Sequence, residues 1–510
     1  MEINFKKNYK FWLILLVSII VILLMNYYEL NLEGFQGIGY LAISISMLII
    51  ILLISTIAIF IYYHKKLTIE KLFWFIIPTI YIMFMLVMPA FKSHDEPFQW
   101  FRMQAICNGQ ILAQVSMNQP VAEIRKDIFD ATSLHPENIN YSYIIEKLTN
   151  DTSNKEDIAK ALIPTTAVYS PIQYLPQMLG ITIGKTIFDN AMFMAYAGRI
   201  VNMLVSILIL YMAFKKMPFG KIGLLVSMCL PIAVEDFTSL SADALTISIC
   251  YLFIAYVLSI VFSEARQINK KDIAVLLVSS VILALCKIVY LPIVGLVLLL
   301  TRDKFKTRKT QIISIVGILT IATIFNLLWL KIANTYLELY ENGRSTTQLA
   351  ILLQNPFGYL QRVIYTIAMC IFDYTNSLFG IELGWNEFAR MNYLLPLSML
   401  TLFIFVNICD NTLKVKLTKY QNIIICLIVL AVIGLIFTSL YIQWNDPENI
   451  VITGIQGRYF IPIIPLIITL VFSKIKLKVD IKEEWLYKIT GITICILYIY
   501  VLTKLFILNI

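Results

Sequence analysis

IGYLAISISMLIIILLISTIAIFIYYHKKLTIEKLFWFIIPTIYIMFMLVMPAFKSHDEPFQWFR, residues 38–102, decides the fold. It holds two apolar runs, 38–63 and 72–90. At 1.5 Å per helical residue, each is long enough to cross a hydrocarbon core of about 30 Å. The connection between them is basic, with Lys65, Lys66 and Lys71. The exit from the second is acidic, with His94, Asp95 and Glu96 in a row. Basic residues mark the cytoplasmic side of a membrane protein. The stretch thus reads as two crossings joined inside the cell, with the carboxylates delivered outside.

The rest of the chain repeats that pattern. Of 510 residues, 59% are hydrophobic and 14% charged, against roughly 45–50% and about 25% in an ordinary soluble domain. Mean hydropathy is +0.79. A disordered chain, a fibrous chain and a soluble enzyme are excluded. The net charge of +9 would suggest nucleic acid in a soluble protein; here it lies in loops, so the expected surface is the lipid bilayer and no nucleic acid. The eight cysteines contain no CxxC pair, and three histidines (His64, His94, His135) are too few for a His-rich metal centre. The run 11–28 follows Lys6, Lys7 and Lys10 with no small-residue cleavage site, and reads as an anchor.

Apolar runs recur at 192–214, 220–235, 243–262, 311–333, 391–408, 420–441, 459–474 and 486–508. The run 272–301 is too long for one straight crossing and is interrupted by Lys287 and Pro292, which predicts two short helices meeting at Lys287. Basic residues cluster in the N-terminal segment and at 65–71, 215–221, 266–271, 302–309, 414–419 and 474–488. The short loops 29–37 and 235–243 hold none. This predicts an all-α integral membrane protein with about 13 transmembrane helices, N-terminus cytoplasmic and C-terminus outside. The whole chain, 1–510, forms one polytopic domain. Residues 91–191, inserted between the third and fourth spans, form a large external loop carrying amphipathic surface helices. The segment 334–390 lies outside, and its apolar part, 359–379, is a re-entrant segment, a surface helix or a tight hairpin.

Several constellations fall on the outer side. In Asp95–Arg102, Pro97 suits the first turn of a helix. Glu96 fits an N-cap answered by Gln99, a variant of the capping box; the sharper alternative is that Asp95 and Glu96 form a general base meeting a lipid-borne substrate. Arg199 and Asn202 lie within a span, where a charge signals either function or an interhelical ion pair. In 235–243, Ser241 is a natural N-cap and Asp243 supports the cap or an acidic pocket. Lys287 and Tyr290 sit at the apex of the short hairpin. Gln456, Arg458 and Tyr459 enter a span from outside, where Arg can grip phosphate oxygens in a bidentate fork. Trp385 is a belt anchor or a sugar-stacking platform. Acids, cations and aromatics at headgroup depth suit an enzyme acting on a phosphate-linked lipid.

These stretches resemble a family of bacterial polytopic membrane proteins of undefined function, grouped by similarity with the GT-C type glycosyltransferases. The resemblance runs from about residue 89 to 465. It rests on Asp95-Glu96, Gly198-Arg199 with Asn202, Ser239–Asp243 with Ala244-Leu245, Lys287 with Tyr290 and Pro292, Gly384-Trp385, and Gln456–Phe460 with Pro462. It implies a GT-C-like multi-helix fold in the plasma membrane and an extracytoplasmic active face. It also implies a polyprenyl-phosphate-linked sugar as donor, a cell-wall or surface-glycan acceptor, and inversion at the anomeric carbon. Asp95 and Glu96 match the family's acidic motif. The family's Pro before the Asp and His three after the Glu are here His94 and Gln99. A divalent metal, Mg or Mn, is compatible with this picture but not readable from the residues. On this reading Asp95, with Glu96, takes the acceptor's proton, and Arg458, Lys287 or Arg199 meets the donor phosphate. The alternatives are a flippase or transporter, or a polymerase, of lipid-linked saccharides.

Overall fold

The computed structural model describes residues 8–32, 38–132, 136–149, 155–263, 267–341, 344–385, 388–446, 448–475 and 481–510. Of the basic loop residues, Lys6, Lys7, Arg266, Lys476 and Lys478 lie outside these, as does His135. The described residues are mostly helical, at 76%. Among the described residues, eight helices are long and apolar enough to cross a membrane: Tyr9–Tyr28, Ile43–Tyr63, Ile69–Val87, Ala191–Lys216, Ala242–Val261, Arg308–Leu337, Lys419–Trp444 and Glu483–Leu508. Shorter apolar helices lie at Ile288–Leu299, Leu394–Cys409 and Gly457–Phe472. These eight fall short of the 13 expected, and the remaining apolar runs form short and broken elements. One is the pair Lys221–Met228 and Pro231–Thr238, split where Pro231 removes a backbone donor.

The predicted break at Lys287 is present. Asn269 and Asp272 form a reciprocal capping box that starts the helix Lys270–Cys286. Beyond Lys287 the chain continues as a 3₁₀ segment, Ile288–Leu299. A 3₁₀ turn rises about 2.0 Å per residue, so these twelve residues reach nearly as far as the seventeen-residue helix before them.

Two ends of the bundle differ in chemistry. At one, the basic connections interlock: Lys221 faces Glu70 at 3.8 Å, Gly220 N–H donates to Thr412 Oγ1 at 3.0 Å, and Lys304 Nζ donates to the Ser263 carbonyl. At the other end lie residues 88–99, 235–243, 380–385, 388–393, 448–458 and Asn509, whose Oδ1 accepts from Lys92 Nζ at 2.8 Å.

Four readings are corrected. The helix Glu96–Cys107 is not a membrane-surface helix: its residues from Glu96 to Ala105 are buried apart from Phe98. They pack in a second core with Ile124, Ile128 and Tyr174. Glu96 is not an N-cap either. Asp95 holds that position, without a side-chain cap, and Gln99 Oε1 instead accepts from Ala242 N–H at 2.6 Å. The 91–191 region is not all helix: β1 (Gln114–Ser116), β2 (Gln119–Arg125) and β3 (Ile158–Leu162) form an antiparallel sheet in that order. Its strands are three to seven residues long, and β1 and β2 lack a buried–exposed alternation, so no consistent period-2 signal marks the sheet. The segment 359–379 belongs to one amphipathic helix, Pro356–Leu378, and is not a hairpin.

Candidate functional site

A cavity of about 670 Å³ opens at the end of the bundle opposite the basic loops. His94, Asp95, Trp385, Gln456 and Arg458 all line it. Asp95 is placed by an unusual backbone. Its φ of 57° is left-handed, which Asp tolerates better than most non-glycine residues. The turn leaves the Asp95 side chain 47% exposed, and its Oδ2 receives Arg458 Nη2 at 2.8 Å. Arg458 itself is only 4% exposed, and its Nε and Nη1 have no hydrogen-bond partner. Gln456 Oε1 is likewise buried without one.

The next residue, Glu96, is fully buried and saturated. It accepts from Phe91 N–H at 2.8 Å, Ser93 N–H at 3.3 Å and Leu240 N–H at 2.9 Å. Arg199 grips both its oxygens, at 2.7 and 2.6 Å. Arg199 also donates to the Met88 and Pro89 carbonyls, at 2.6 and 2.9 Å. The pair ties the helix Ala191–Lys216 to the exit of the third span. Neither residue has capacity left for a substrate. Asn202 is structural in the same way, donating to the Ser239 carbonyl at 2.8 Å. Arg102 is buried away from the cavity, on the carbonyls of Gln110 and Ile111.

Behind the cavity wall lies a second ion pair, Lys287 Nζ to Asp243 Oδ1 at 2.5 Å. The Lys287 ammonium also faces the rings of Tyr169 and Tyr459, 5.2 and 5.5 Å from their centroids. Tyr290 OH donates to the Tyr459 carbonyl at 3.0 Å. Lys287 is thus already neutralised. Ser241 caps its helix as expected, accepting from Asp243 N–H at 3.1 Å, and donates to Asp236 Oδ1 at 2.9 Å.

Glu235 and Asp236, which the sequence reading places in the acidic loop 235–243 without a role of their own, complete the site. Glu235 takes His94 N–H at 2.9 Å and His94 Nδ1 at 2.7 Å on one oxygen, and Gly384 N–H at 2.9 Å on the other. Burial pulls the His94 imidazole down, and the Glu235 carboxylate more than reverses this, so His94 ends above its ordinary value. Trp385 is held by its N–H on the Lys92 carbonyl at 2.7 Å, and its ring meets Phe98 edge-on. Asp373, Tyr374, Arg390 and Tyr393 also line the cavity. The one signal that could have found Asp373 and Tyr374 is their place on the polar face of an amphipathic helix. Among the described residues no three of His, Cys, Asp and Glu converge on a metal-sized site. Asp95 and Asp243 face a guanidinium and an ammonium instead, so these donors do not fit a divalent ion.

The helices and the cavity together define an integral membrane protein with a polar, charged site at one end of its bundle. The model of the family described as predicted membrane protein (DUF2142) matches residues 75–467, and the chain belongs to that family. No curated protein and no solved structure matches it.

Proposed function

We propose that this protein is a GT-C-type glycosyltransferase of the bacterial plasma membrane. It moves a sugar from a polyprenyl-phosphate donor to a surface-glycan or cell-wall acceptor on the extracytoplasmic side. The topology that goes with this reading has 13 crossings, the N-terminus inside and the cavity outside. The observation that carries it is the meeting of one half-exposed carboxylate, Asp95, with one buried guanidinium, Arg458, at the wall of a polar cavity.

The roles follow from what each group has left to give. The acceptor hydroxyl attacks the anomeric carbon while Asp95 takes its proton. The bond from that carbon to the phosphate oxygen breaks, and the lipid phosphate leaves with the electron pair. Arg458, with two unpartnered nitrogens, stabilises charge gathering on that phosphate. In the resting site Arg458 belongs to Asp95. A donor phosphate that takes the guanidinium releases Asp95 to act as base. Glu96, Arg199 and Lys287 stand outside the chemistry as supports, because each is already satisfied. Trp385 and Tyr393 offer rings to the sugars.

A flippase or transporter would use the cations and need no base. The test is therefore Asp95→Asn in reconstituted protein, with mass spectrometry of surface glycans from cells carrying the same variant. Sugar transfer should fall about 10²–10⁴-fold, the typical cost of losing a general base. Donor binding should be at least as tight, since the competing carboxylate is gone. Arg458→Lys should weaken donor binding, because it keeps the charge and loses the fork. Near-normal transfer and glycans in Asp95→Asn would refute Asp95 as the base, and absence of transfer by the wild-type protein would refute the enzyme reading.

A further inference from the structure

Four carboxylates, Asp95, Glu235, Asp236 and Asp243, gather around Arg458 and Lys287. Three carboxylates have clear partners: Asp95 on Arg458 at 2.8 Å, Asp243 on Lys287 at 2.5 Å, and Glu235 on His94 at 2.7 Å. Asp236 is left over. Its side chain is 4% exposed, and its Oδ1 lies 4.0 Å from Arg458 Nη1. Oδ1 accepts from Ser241 Oγ, while Oδ2 is buried with no hydrogen-bond partner. An ionised carboxylate with one oxygen buried and bare is costly, and a protonated one far less so. The same guanidinium has its Nε and Nη1 unused.

Charge makes the arrangement a problem for the donor. A phosphate arriving at Arg458 meets Asp95, Asp236 and Asp243 close by. If all three are ionised, the cations are already outnumbered. We propose that Asp236 carries the proton that admits an anionic phosphate to this site, acting through Arg458 as a positioning residue. This rests on the glycosyltransferase reading. Protonated, Asp236 leaves the charge of Arg458 for the phosphate; ionised, it competes for it. The groups facing Asp236 are Asp243, Glu235, Arg458 and Ser241, with His94, Lys287 and Asp95 behind them. Burial first, and then the Asp243 carboxylate, push the Asp236 carboxyl up to about 7 against the pull of Arg458. Both forms are then populated near neutral pH.

The probe is a short-chain isoprenyl phosphodiester of glucose, whose single charge does not change near neutrality. Its affinity for the purified full-length protein should be about tenfold tighter near pH 6 than near pH 8, the slope of a one-proton linkage centred near 7. Asp236→Asn, permanently uncharged, should bind at the low-pH wild-type level across that range. His94→Gln should keep the wild-type dependence. Should Asp236→Asn fail to fold, wild-type protein in weak buffer near pH 7.5 should take up protons on binding the probe. Binding that ignores pH, a dependence that disappears with His94, or binding without proton uptake overturns the inference and leaves the glycosyltransferase reading standing. No binding at either pH overturns both.

Discussion

Asp95 and Glu96 are neighbours in the chain with opposite surroundings, and the left-handed turn at Asp95 separates them. One carboxylate is turned to the cavity, the other to Arg199. A sequence treats the two acids alike; burial does not. Glu96 accepts three backbone N–H groups and a two-pronged guanidinium, all out of water. Removing one partner of a buried ion pair leaves the other charge uncompensated, at about 3–5 kcal/mol. Glu96→Gln should therefore be strongly destabilising, by about 3 kcal/mol or more. Asp95→Asn also takes the counter-charge from the buried Arg458, but from a half-exposed position with a single bond, so it should cost less stability than Glu96→Gln. Thermal unfolding of both variants in detergent checks this, and equal melting of the two would remove the structural role assigned here to Glu96.

At the scale of elements, the cavity depends on how closely the segment Gly457–Ile463 meets the helix Pro356–Leu378. A Cβ at Gly457 would lie 2.1 Å from the Leu378 amide nitrogen and 2.6 Å from the Tyr374 carbonyl oxygen. Those are backbone atoms and cannot rotate aside. Gly457→Ala should push the helix away and carry the adjoining Arg458 with it, lowering melting temperature and weakening phosphodiester binding together. Gly434→Ala, where a Cβ meets nothing within 4 Å, is the control; matched behaviour of the two would show that the contact is not needed. This element also marks how far the sequence could be read. The break at Lys287, the cap at Ser241 and the cluster of polar groups at one end follow from local spacing. The partnership of Asp95 with Arg458 spans 363 residues of sequence, and no local pattern encodes it. The helix Glu96–Cys107 misleads for a related reason. Its Phe98 and Phe101 suggest a membrane-facing stripe, but Gln99 meets its partner, the Ala242 N–H, only across the fold, Arg102 binds carbonyls in the loop that follows the helix, and Gln104 Nε2 stays unpaired.

At the scale of the whole molecule, the interlocked basic loops and the cavity occupy opposite ends, which is what a fixed orientation in a membrane requires. Positive residues are retained on the cytoplasmic side, so the cavity end should face outward. Single cysteines in a background lacking the eight native ones test this with an impermeant thiol reagent on intact cells. Met117, at the tip of the β1–β2 hairpin and 97% exposed, is the probe of the cavity end. Lys66 and Lys306 are exposed at the opposite end. Met117→Cys should label in intact cells, whereas Lys66→Cys and Lys306→Cys should label only after the membrane is opened. The reverse pattern would place the cavity in the cytoplasm. The acceptor would then have to be a cytoplasmic molecule, and a role in building the outer surface of the cell would be ruled out, whatever chemistry Asp95 performs.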